Sequence, residues 1–199
     1  ALAEDAGAEL VLFPELSLTG YPPLDLLERP SFVSANLTAL SRLARSTGRS
    51  GLLVGFVDAN PSLQGKPLFN AAALLHRGRV AARRHKSLLP TYDVFDEARY
   101  FEPGDRALAL RVKGERIGVT ICEDIWNDKT FWKRPLYVHD PVAEIKPLSL
   151  FLHANLSASP YALGKDRLRE RMMRQIARAT GVPLVHCNLV GGNDGLVFD

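Results

Sequence analysis

Cys122 and Glu15 are the first residues in this chain whose type and placement could support chemistry. Motifs for a serine nucleophile (GxSxG), a phosphate loop (GxxxxGK[ST]), dinucleotide binding (GxGxxG) and a zinc protease (HExxH) are absent, which leaves thiols, carboxylates and lysines. Cys122 and Glu15 each follow an apolar stretch that reads as a buried strand, and Lys86 follows a shorter one at residues 78–82. We expect the Cys122 thiol to be exposed at a sheet edge, where a substrate can reach it. Cys187 reads instead as a small buried apolar residue.

Each of these side chains also has an ordinary explanation when it is taken alone. A lone cysteine is usually buried and inert, Glu15 could cap a helix or lie on the surface, and a lysine among arginines, such as Lys86, is usually solvated. The residue types therefore allow nucleophilic catalysis without establishing it.

The elements that must position these side chains alternate between strands and helices. Apolar runs with the length and branched composition of buried strands lie at residues 10–13, 52–57, 71–75, 117–121, 148–152 and 183–190. Two amphipathic helices are indicated by apolar side chains on one face and a glycine placed to end the helix. These are Val33, Leu37, Leu40 and Ala44 with Gly48, and Leu168, Met172, Ile176 and Ala179 with Gly181. Alternating strands and helices predict an α/β layered fold, in which residues 141–147 form a surface excursion.

The composition is that of one globular domain and argues against several classes of function. The 25 basic and 22 acidic residues are spread along 199 positions, so the net charge of +3 gives no concentrated face for nucleic acid. No apolar run approaches the roughly 20 residues of a membrane span, and the first residues show no signal-peptide pattern. The two cysteines fit no metal or disulfide spacing, so we expect free thiols, no metal site and a cytoplasmic protein.

One local excess of positive charge and the two chain ends complete the description of the sequence. Residues 165–178 contain six basic side chains against Asp166 and Glu170, and a solvated helix face or subunit contact is favoured over a phosphate-binding patch. Residues 1–8 resemble the end of a longer helix, and residues 196–198 begin a strand that stops at Asp199. We therefore expect a piece of a longer protein, truncated at both ends.

The segments around Glu15, Lys86 and Cys122 resemble the catalytic boxes of the nitrilase, or carbon–nitrogen hydrolase, superfamily, in the order found there. The boxes are residues 13–21 (FPELSLTGY), 85–90 (HKSLLP) and 121–126 (ICEDIW). Other segments are similar to the glutaminase domains of the glutamine-dependent NAD⁺ synthetase family. These are residues 18–27 (LTGYPPLDLL), 92–101 (YDVFDEARYF), 155–161 (NLSASPY) and 190–198 (VGGNDGLVF). The resemblance covers essentially the whole chain.

This resemblance implies a four-layer α-β-β-α sandwich in which the boxes meet at strand ends. Cys122 would attack the side-chain amide carbon of L-glutamine, while Glu15 passes the thiol proton to the departing nitrogen, so that ammonia leaves a glutamyl thioester. Glu15 would then activate the water that frees glutamate. Lys86 and a backbone N–H after Cys122 would stabilise the tetrahedral oxyanion, each contributing about 3 to 4 kcal/mol.

Matched positions in the same family imply a pocket for the substrate, with ordinary packing as the alternative. Its members are Tyr92, Glu123, Trp126 and Ser159. Glu123 is available for the substrate's α-ammonium. Lys165 stands where the synthetase family often has an arginine for the α-carboxylate, which keeps the charge but loses bidentate geometry. Glu97 is a candidate supporting acid beside the lysine, or else a member of a surface salt bridge.

Three functions stay open on the sequence alone. The leading one is an ammonia-producing domain, whose ammonia passes through a channel to a synthetase domain that forms NAD⁺ from adenylylated nicotinic acid adenine dinucleotide. That synthetase domain, with its ATP and Mg²⁺, is expected beyond Asp199, because no SGG-type ATP-pyrophosphatase loop occurs in this chain. The alternatives are a stand-alone amidase for another small amide and an interaction domain that keeps the boxes as packing. No cofactor is expected in this domain, and a homo-oligomer is expected.

Overall fold

Strands and helices alternate along the chain in the computed structural model, which describes residues 2–105 and 109–199. The elements are α1 (Leu2–Asp5), β1 (Leu10–Leu12), a 3₁₀ helix (Leu24–Glu28), α2 (Pro30–Arg45), β2 (Gly51–Ala59), β3 (Leu68–His76), β4 (Arg79–His85), α3 (Glu97–Tyr100), β5 (Ala109–Val112), β6 (Glu115–Ile121), a 3₁₀ helix (Cys122–Ile125), α4 (Pro141–Ile145), a 3₁₀ helix (Lys146–Leu148), β7 (Leu152–Ser157), α5 (Lys165–Thr180), β8 (Leu184–Asn188), β9 (Gly191–Asn193) and β10 (Leu196–Phe198). Ala1, within the expected helical segment 1–8, lies outside the described residues. None of the described helices has both the length and the apolar character that crossing a membrane requires.

Two four-stranded sheets position the candidate catalytic residues. The first has the order β1-β2-β3-β4, with β1 parallel to β2 and the other pairs antiparallel. The second has the order β5-β6-β7-β8, in which β6, β7 and β8 are parallel. Because parallel strands end at the same edge of a sheet, the residues that follow β6, β7 and β8 are brought together.

Apolar side chains divide the fold into four layers. Leu53 and Leu74 of the first sheet pack against Val119 and Leu156 of the second in one buried cluster. Helix α2 covers the outer face of the first sheet, and α5 contributes to a separate cluster beside β8. Burying each large apolar side chain contributes about 1.5 to 3 kcal/mol, so these contacts hold the layers together. The expected α-β-β-α sandwich is confirmed.

The two predicted long helices are present, although one ends earlier than expected. Helix α2 stops at Arg45 rather than near Gly48, because the hydroxyl groups of Ser46 and Thr47 donate to the carbonyls of the last helical turn. Helix α5 ends at Thr180, directly before the predicted Gly181, where the backbone adopts a left-handed φ of 74° that suits glycine.

Two sequence predictions in the second half of the chain are wrong. Residues 148–152 are not a strand, because a 3₁₀ helix ends at Leu148, Ser149 has a left-handed φ of 50°, and β7 begins only at Leu152. Residues 141–147 are not a surface excursion either. They form α4 and the start of the following 3₁₀ helix, with Val142 and Ile145 buried.

Candidate active site

Glu15 lies just beyond β1 and is almost completely buried. Its Oε1 accepts a hydrogen bond from Lys86 Nζ at 2.7 Å, and its Oε2 accepts one from the backbone N–H of Ala158 at 3.0 Å. Leu16 follows with a left-handed φ of 47° that turns the chain sharply after the carboxylate. Glu15 is therefore held between the first sheet and the end of β7, which excludes the helix-cap and surface-acid alternatives for it.

The turn that carries Glu15 passes directly over Gly55 of β2. A Cβ atom at Gly55 would meet backbone atoms of residues 14–16, including Glu15 C at 2.8 Å, and backbone cannot move aside as a side-chain tip can. We expect Gly55→Ala to displace Glu15, lower kcat and cost roughly 1 to 3 kcal/mol in the free energy of unfolding. Enzyme assays and chemical denaturation measure the two effects.

Gly51→Ala is the matched control on the same strand. There the nearest atom to a new Cβ is a side-chain methyl group, Leu74 Cδ1, at 3.3 Å. If Gly51→Ala lowered kcat more than Gly55→Ala does, the close backbone approach would not be the reason that position 55 requires glycine.

Lys86 lies between two carboxylates in the interior. Its Nζ donates to Glu15 Oε1 at 2.7 Å and to Glu97 Oε1 at 2.6 Å. Glu97 opens α3 and is buried, so it is a neighbour of the lysine as predicted and the surface salt-bridge alternative is wrong. Asn70 of β3 joins both acids, donating to Glu15 at 2.7 Å and to Glu97 at 3.2 Å. The lysine is thus immobilised, not solvated.

Burial and charge together set the protonation of this cluster. Burial of Lys86 opposes its charge, but the carboxylates of Glu15 and Glu97 outweigh that effect and hold its pKa well above the usual value. Burial raises the pKa of Glu97 to about 7, against the lowering effect of Lys86. Tyr21 supports Glu97 by donating to its Oε1 at 2.8 Å.

Cys122 is the first residue after β6, and its thiol is buried. The expected exposure at the sheet edge is wrong, since only 5% of the residue is accessible. Its backbone has a left-handed φ of 40°, which is uncommon for a non-glycine residue and turns the chain abruptly from the strand into the 3₁₀ helix. Ser157, at the end of β7, donates its hydroxyl to the thiol sulfur at 3.3 Å. At the end of β7, Ser157 therefore contacts the thiol, and the next residue, Ala158, contacts the carboxylate of Glu15.

The electrostatic environment keeps the Cys122 thiol protonated at rest. Burial raises the pKa of this thiol well above its ordinary value, and the carboxylate of Glu15 raises it further. Lys86 and the hydrogen bond from Ser157 lower it only in part. A thiol of this kind needs a base at the moment of attack, and the carboxylate that affects it most is Glu15.

A second buried carboxylate, Glu123, lies directly after the cysteine. Tyr92 donates its hydroxyl to both carboxylate oxygens at 2.9 Å, and Tyr137 donates to Oε1 at 3.1 Å. Burial raises the pKa of Glu123. Within the described part of the chain, no lysine, arginine or histidine lies within 4 Å of its carboxylate. Tyr92 and Glu123, both expected in the substrate pocket, are therefore in contact.

The remaining candidates lie around the start of α5 and the end of β7. Lys165 is the first residue of α5, and its ammonium lies 5.4 Å from the centre of the Trp126 ring and 3.2 Å from the carbonyl oxygen of Pro160. Burial lowers its pKa, so Lys165 does not lie freely in solvent. Ser159 is buried, and Asn188 holds its backbone through two hydrogen bonds. Their contacts with a substrate stay a prediction.

Sequence reasoning missed three residues of the site, namely Asn70, Tyr21 and Tyr137. Asn70 is an isolated polar residue inside the apolar run of β3, and that break in pattern was the available signal. Tyr21 lies in the glutamate box but gave no sign of its contact with Glu97. Tyr137 reaches Glu123 because Asn127 holds its loop through the backbone of Tyr137 and His139, which no sequence pattern announces.

Comparison with known protein families defines the class to which this fold and site belong. The family described as carbon-nitrogen hydrolase matches residues 1–198. The chain therefore belongs to the carbon–nitrogen hydrolase family and is an enzyme domain of that class. An amidase of the nitrilase superfamily from Nesterenkonia, 23% identical, has the same fold, with a TM-score of 0.79 over 100% of this chain and 70% of its own.

Individual relatives are more specific than the family. The glutamine-dependent NAD⁺ synthetase of Synechocystis is 46% identical over 201 residues, which are 99% of this chain and 36% of the relative. That of Thermotoga maritima is 43% identical over 204 residues, or 100% of this chain and 32% of the relative. The solved structure of the Acinetobacter baumannii synthetase has a TM-score of 0.87 at 35% identity, covering 100% of this chain and 35% of its own. The chain thus spans about a third of the length of these relatives.

Proposed function

We propose that this chain hydrolyses the side-chain amide of L-glutamine through a thioester on Cys122 and releases ammonia. The observation that carries the proposal is the convergence of one thiol, one buried carboxylate and one buried ammonium at the ends of β6, β1 and β4. These three groups supply the nucleophile, the base and the oxyanion stabiliser that amide hydrolysis needs.

The steps follow from the positions of the three groups. Glu15 takes the thiol proton as Cys122 sulfur bonds to the amide carbon, and the carbonyl oxygen becomes an oxyanion facing the charge of Lys86. The carbon–nitrogen bond then breaks, Glu15 returns the proton to nitrogen, and ammonia leaves. Water then gives a proton to Glu15 as its oxygen bonds to the thioester carbon, the carbon–sulfur bond breaks, and Glu15 returns the proton to sulfur. Glutamate leaves and the free thiol is restored. Glu97 and Asn70 hold Lys86 and Glu15 in place during both halves.

Glu123 favours glutamine over a simple amide as the substrate. A buried carboxylate with no cation within 4 Å of it in the described structure is costly unless a bound group supplies positive charge. The α-ammonium of an amino acid is such a group, whereas acetamide carries none. Because Tyr92 and Tyr137 already fix the carboxylate, an ammonium can bind without reorganising it.

Ammonia release from three substrates tests this proposal. Glutamine carries the α-ammonium, glutaramate (the same chain without the amino group) lacks it, and acetamide lacks the whole amino-acid portion. We expect kcat/KM to fall by at least 100-fold from glutamine to glutaramate, because the Glu123 charge is then left unpaired. Acetamide hydrolysed as well as glutamine would support the stand-alone amidase instead, and no hydrolysis of any amide would support the interaction domain.

The relatives extend the proposal to the whole protein. Because the similar proteins are glutamine-dependent NAD⁺ synthetases about three times as long, we assign the released ammonia to a synthetase domain of the same polypeptide. That domain would use ATP and Mg²⁺ to form NAD⁺, as a ligase. A homo-oligomer and a cytoplasmic location belong to the same proposal, and the two free cysteines agree with a reducing compartment. An assay of NAD⁺ formation with glutamine or ammonia as nitrogen donor tests this extension.

Lys165 is expected to act in substrate binding more than in chemistry. Its ammonium lies beside Trp126, another residue that the resemblance assigns to the substrate pocket, and there it can face an α-carboxylate remote from the scissile amide. Lys165→Ala should therefore raise KM for glutamine about tenfold with a smaller fall in kcat, the pattern of binding shared by ground and transition states. Steady-state kinetics on glutamine measures the two parameters.

Lys165→Arg is the informative companion variant. If the pocket accepts the longer side chain, two parallel hydrogen bonds should keep KM at or below the wild-type value. Arg167→Ala, at an exposed position two residues further along α5, serves as the control and should change neither parameter. Equal KM values for wild type, Lys165→Ala and Lys165→Arg would remove Lys165 from the pocket.

A further inference from the structure

Asp124, two residues after the cysteine, makes contacts that none of the proposed chemical steps uses. It is fully buried, and its Oδ1 accepts two backbone N–H groups, from Ser87 at 2.9 Å and Leu88 at 3.0 Å. Its Oδ2 accepts the backbone N–H of Ile121 at 2.9 Å. One carboxylate thus binds the last residue of β6, in the second sheet, and two residues that follow β4 of the first sheet.

The three backbone groups are the immediate neighbours of the proposed catalytic residues. Ser87 and Leu88 follow Lys86, and Ile121 precedes Cys122. Lys86 continues from β4 of the first sheet, whereas Cys122 continues from β6 of the second, and the chain between them is 35 residues long. Asp124 is therefore a direct polar link between the backbone that carries the ammonium and the backbone that carries the thiol.

Charge as well as geometry suits this link to a carboxylate. Arg84 Nη2 lies 3.9 Å from Oδ2 and the arginine is itself buried, so the negative charge has a cation beside it. The same guanidinium donates to Ser87 Oγ at 2.7 Å and to the carbonyl of Asp105 at 3.0 Å. Three N–H donors and one nearby cation offset the cost of burying the charge.

We propose that Asp124 is a positioning residue that sets the separation of Lys86 and Cys122. The oxyanion stabiliser must lie at a fixed place relative to the atom that the sulfur attacks, and an error of about 1 Å can cost 100-fold in rate. The N–H groups of Ser87, Leu88 and Ile121 are occupied by Asp124 and cannot donate to the oxyanion. Asp124 acts through its neighbours and touches no substrate.

Asp124→Asn tests the proposal, since it keeps the shape and cannot keep all three acceptor contacts. Whichever way the amide is placed, its NH₂ group faces a backbone N–H instead of accepting from it. We expect kcat for glutamine to fall about 100-fold with KM changed less than threefold. We also expect alkylation of Cys122 by iodoacetamide, itself a small primary amide, to slow at least tenfold, while alkylation of Cys187 is unchanged.

Asp128→Asn is the matched control, because Asp128 is also buried, but its carboxylate bonds, among the described residues, only to Thr130 of its own loop. It should leave kcat and the alkylation rate at wild-type values. The kcat measurement rests on the proposed function, whereas the alkylation rate of Cys122 does not. If the wild-type protein does not hydrolyse glutamine, the proposed function is overturned, but the positioning role of Asp124 can still be tested by alkylation.

Normal kcat and normal Cys122 alkylation in a folded Asp124→Asn variant would overturn the positioning role. If that variant fails to fold, Asp124→Glu decides the matter. The glutamate keeps the charge beside Arg84 but is longer by one methylene, so a folded Asp124→Glu protein should show the same fall in kcat. Wild-type kinetics in that variant would equally overturn the proposal.

Discussion

Replacing Cys122 with alanine (Cys122→Ala) is expected to lower glutamate formation by about 10⁵-fold or more while leaving the fold intact. The nucleophile has no substitute in the site, and loss of a triad-type nucleophile typically costs on this order. The change removes one sulfur atom, whose side-chain contact is the hydroxyl of Ser157. Glutamate production, with thermal unfolding measured in parallel, checks both halves of the expectation.

Cys187→Ser is the control for this result, because Cys187 is a half-buried thiol on β8 whose sulfur lies 3.6 Å from the carbonyl of Leu12, away from the cluster around Lys86. It should be nearly silent in catalysis. Under the proposed extension to a synthetase domain, NAD⁺ formation from free ammonia should survive Cys122→Ala. Glutamine hydrolysis near the wild-type rate in the alanine variant would contradict the thioester mechanism.

Lys86→Met and Glu15→Gln are expected to have the next largest effects, lowering kcat by about 10³-fold and by 10² to 10⁴-fold respectively. Lys86→Met removes the oxyanion stabiliser and leaves two buried carboxylates without their cation, which should also cost about 3 to 5 kcal/mol in stability. Glu15→Gln is isosteric and removes the base. Single-turnover rates of thioester formation, compared with unfolding curves, separate chemistry from stability.

Lys113→Met is the matched control for the lysine, since Lys113 also pairs with a glutamate, Glu9, but at the surface. Loss of that exposed pair should change stability by less than about 1 kcal/mol and kcat not at all. A similar fall in kcat for Lys113→Met would show that the assay reports general destabilisation. An active Lys86→Met protein would assign oxyanion stabilisation to another group.

The fold was predictable from the sequence wherever burial and apolar character coincide. Residues 52–57 and 71–75 lie inside β2 and β3, which are covered on both faces and therefore read as continuous apolar runs. The strand at β7 was predicted too early in the chain, at residues 148–152, because every second side chain of β7 is buried but polar. His153 and Asn155 form hydrogen bonds with Thr120 at 2.8 and 2.9 Å, which permit their burial. A prediction based on apolar runs cannot detect a strand of this kind.

The residues of the candidate site were predictable from their types and from the family resemblance, but their burial and their contacts were not. The trio and Glu97 lie together, yet the depth of burial of Cys122 could not be inferred from a strand end. It is buried by Ser157 and by the apolar cluster between the two sheets, which includes Leu53 and Leu156, and these residues are distant in sequence. Asn70 and Asp124 were likewise missed as organisers, because their partners are defined by the docking of two sheets and not by any local pattern.

The hydrogen bond from Ala158 to Glu15 joins residues 143 positions apart, and the bond from Lys86 to Glu15 joins residues 71 apart. Hydrogen bonds between residues so far apart in sequence require the long segment between them to lose loop-closure entropy before they can form. They therefore form late and cooperatively in folding. A chain that ends before Ala158 lacks the N–H group that binds Glu15 Oε2. Reactive chemistry is thereby confined to the finished domain, and a nascent or partly unfolded chain carries an ordinary thiol.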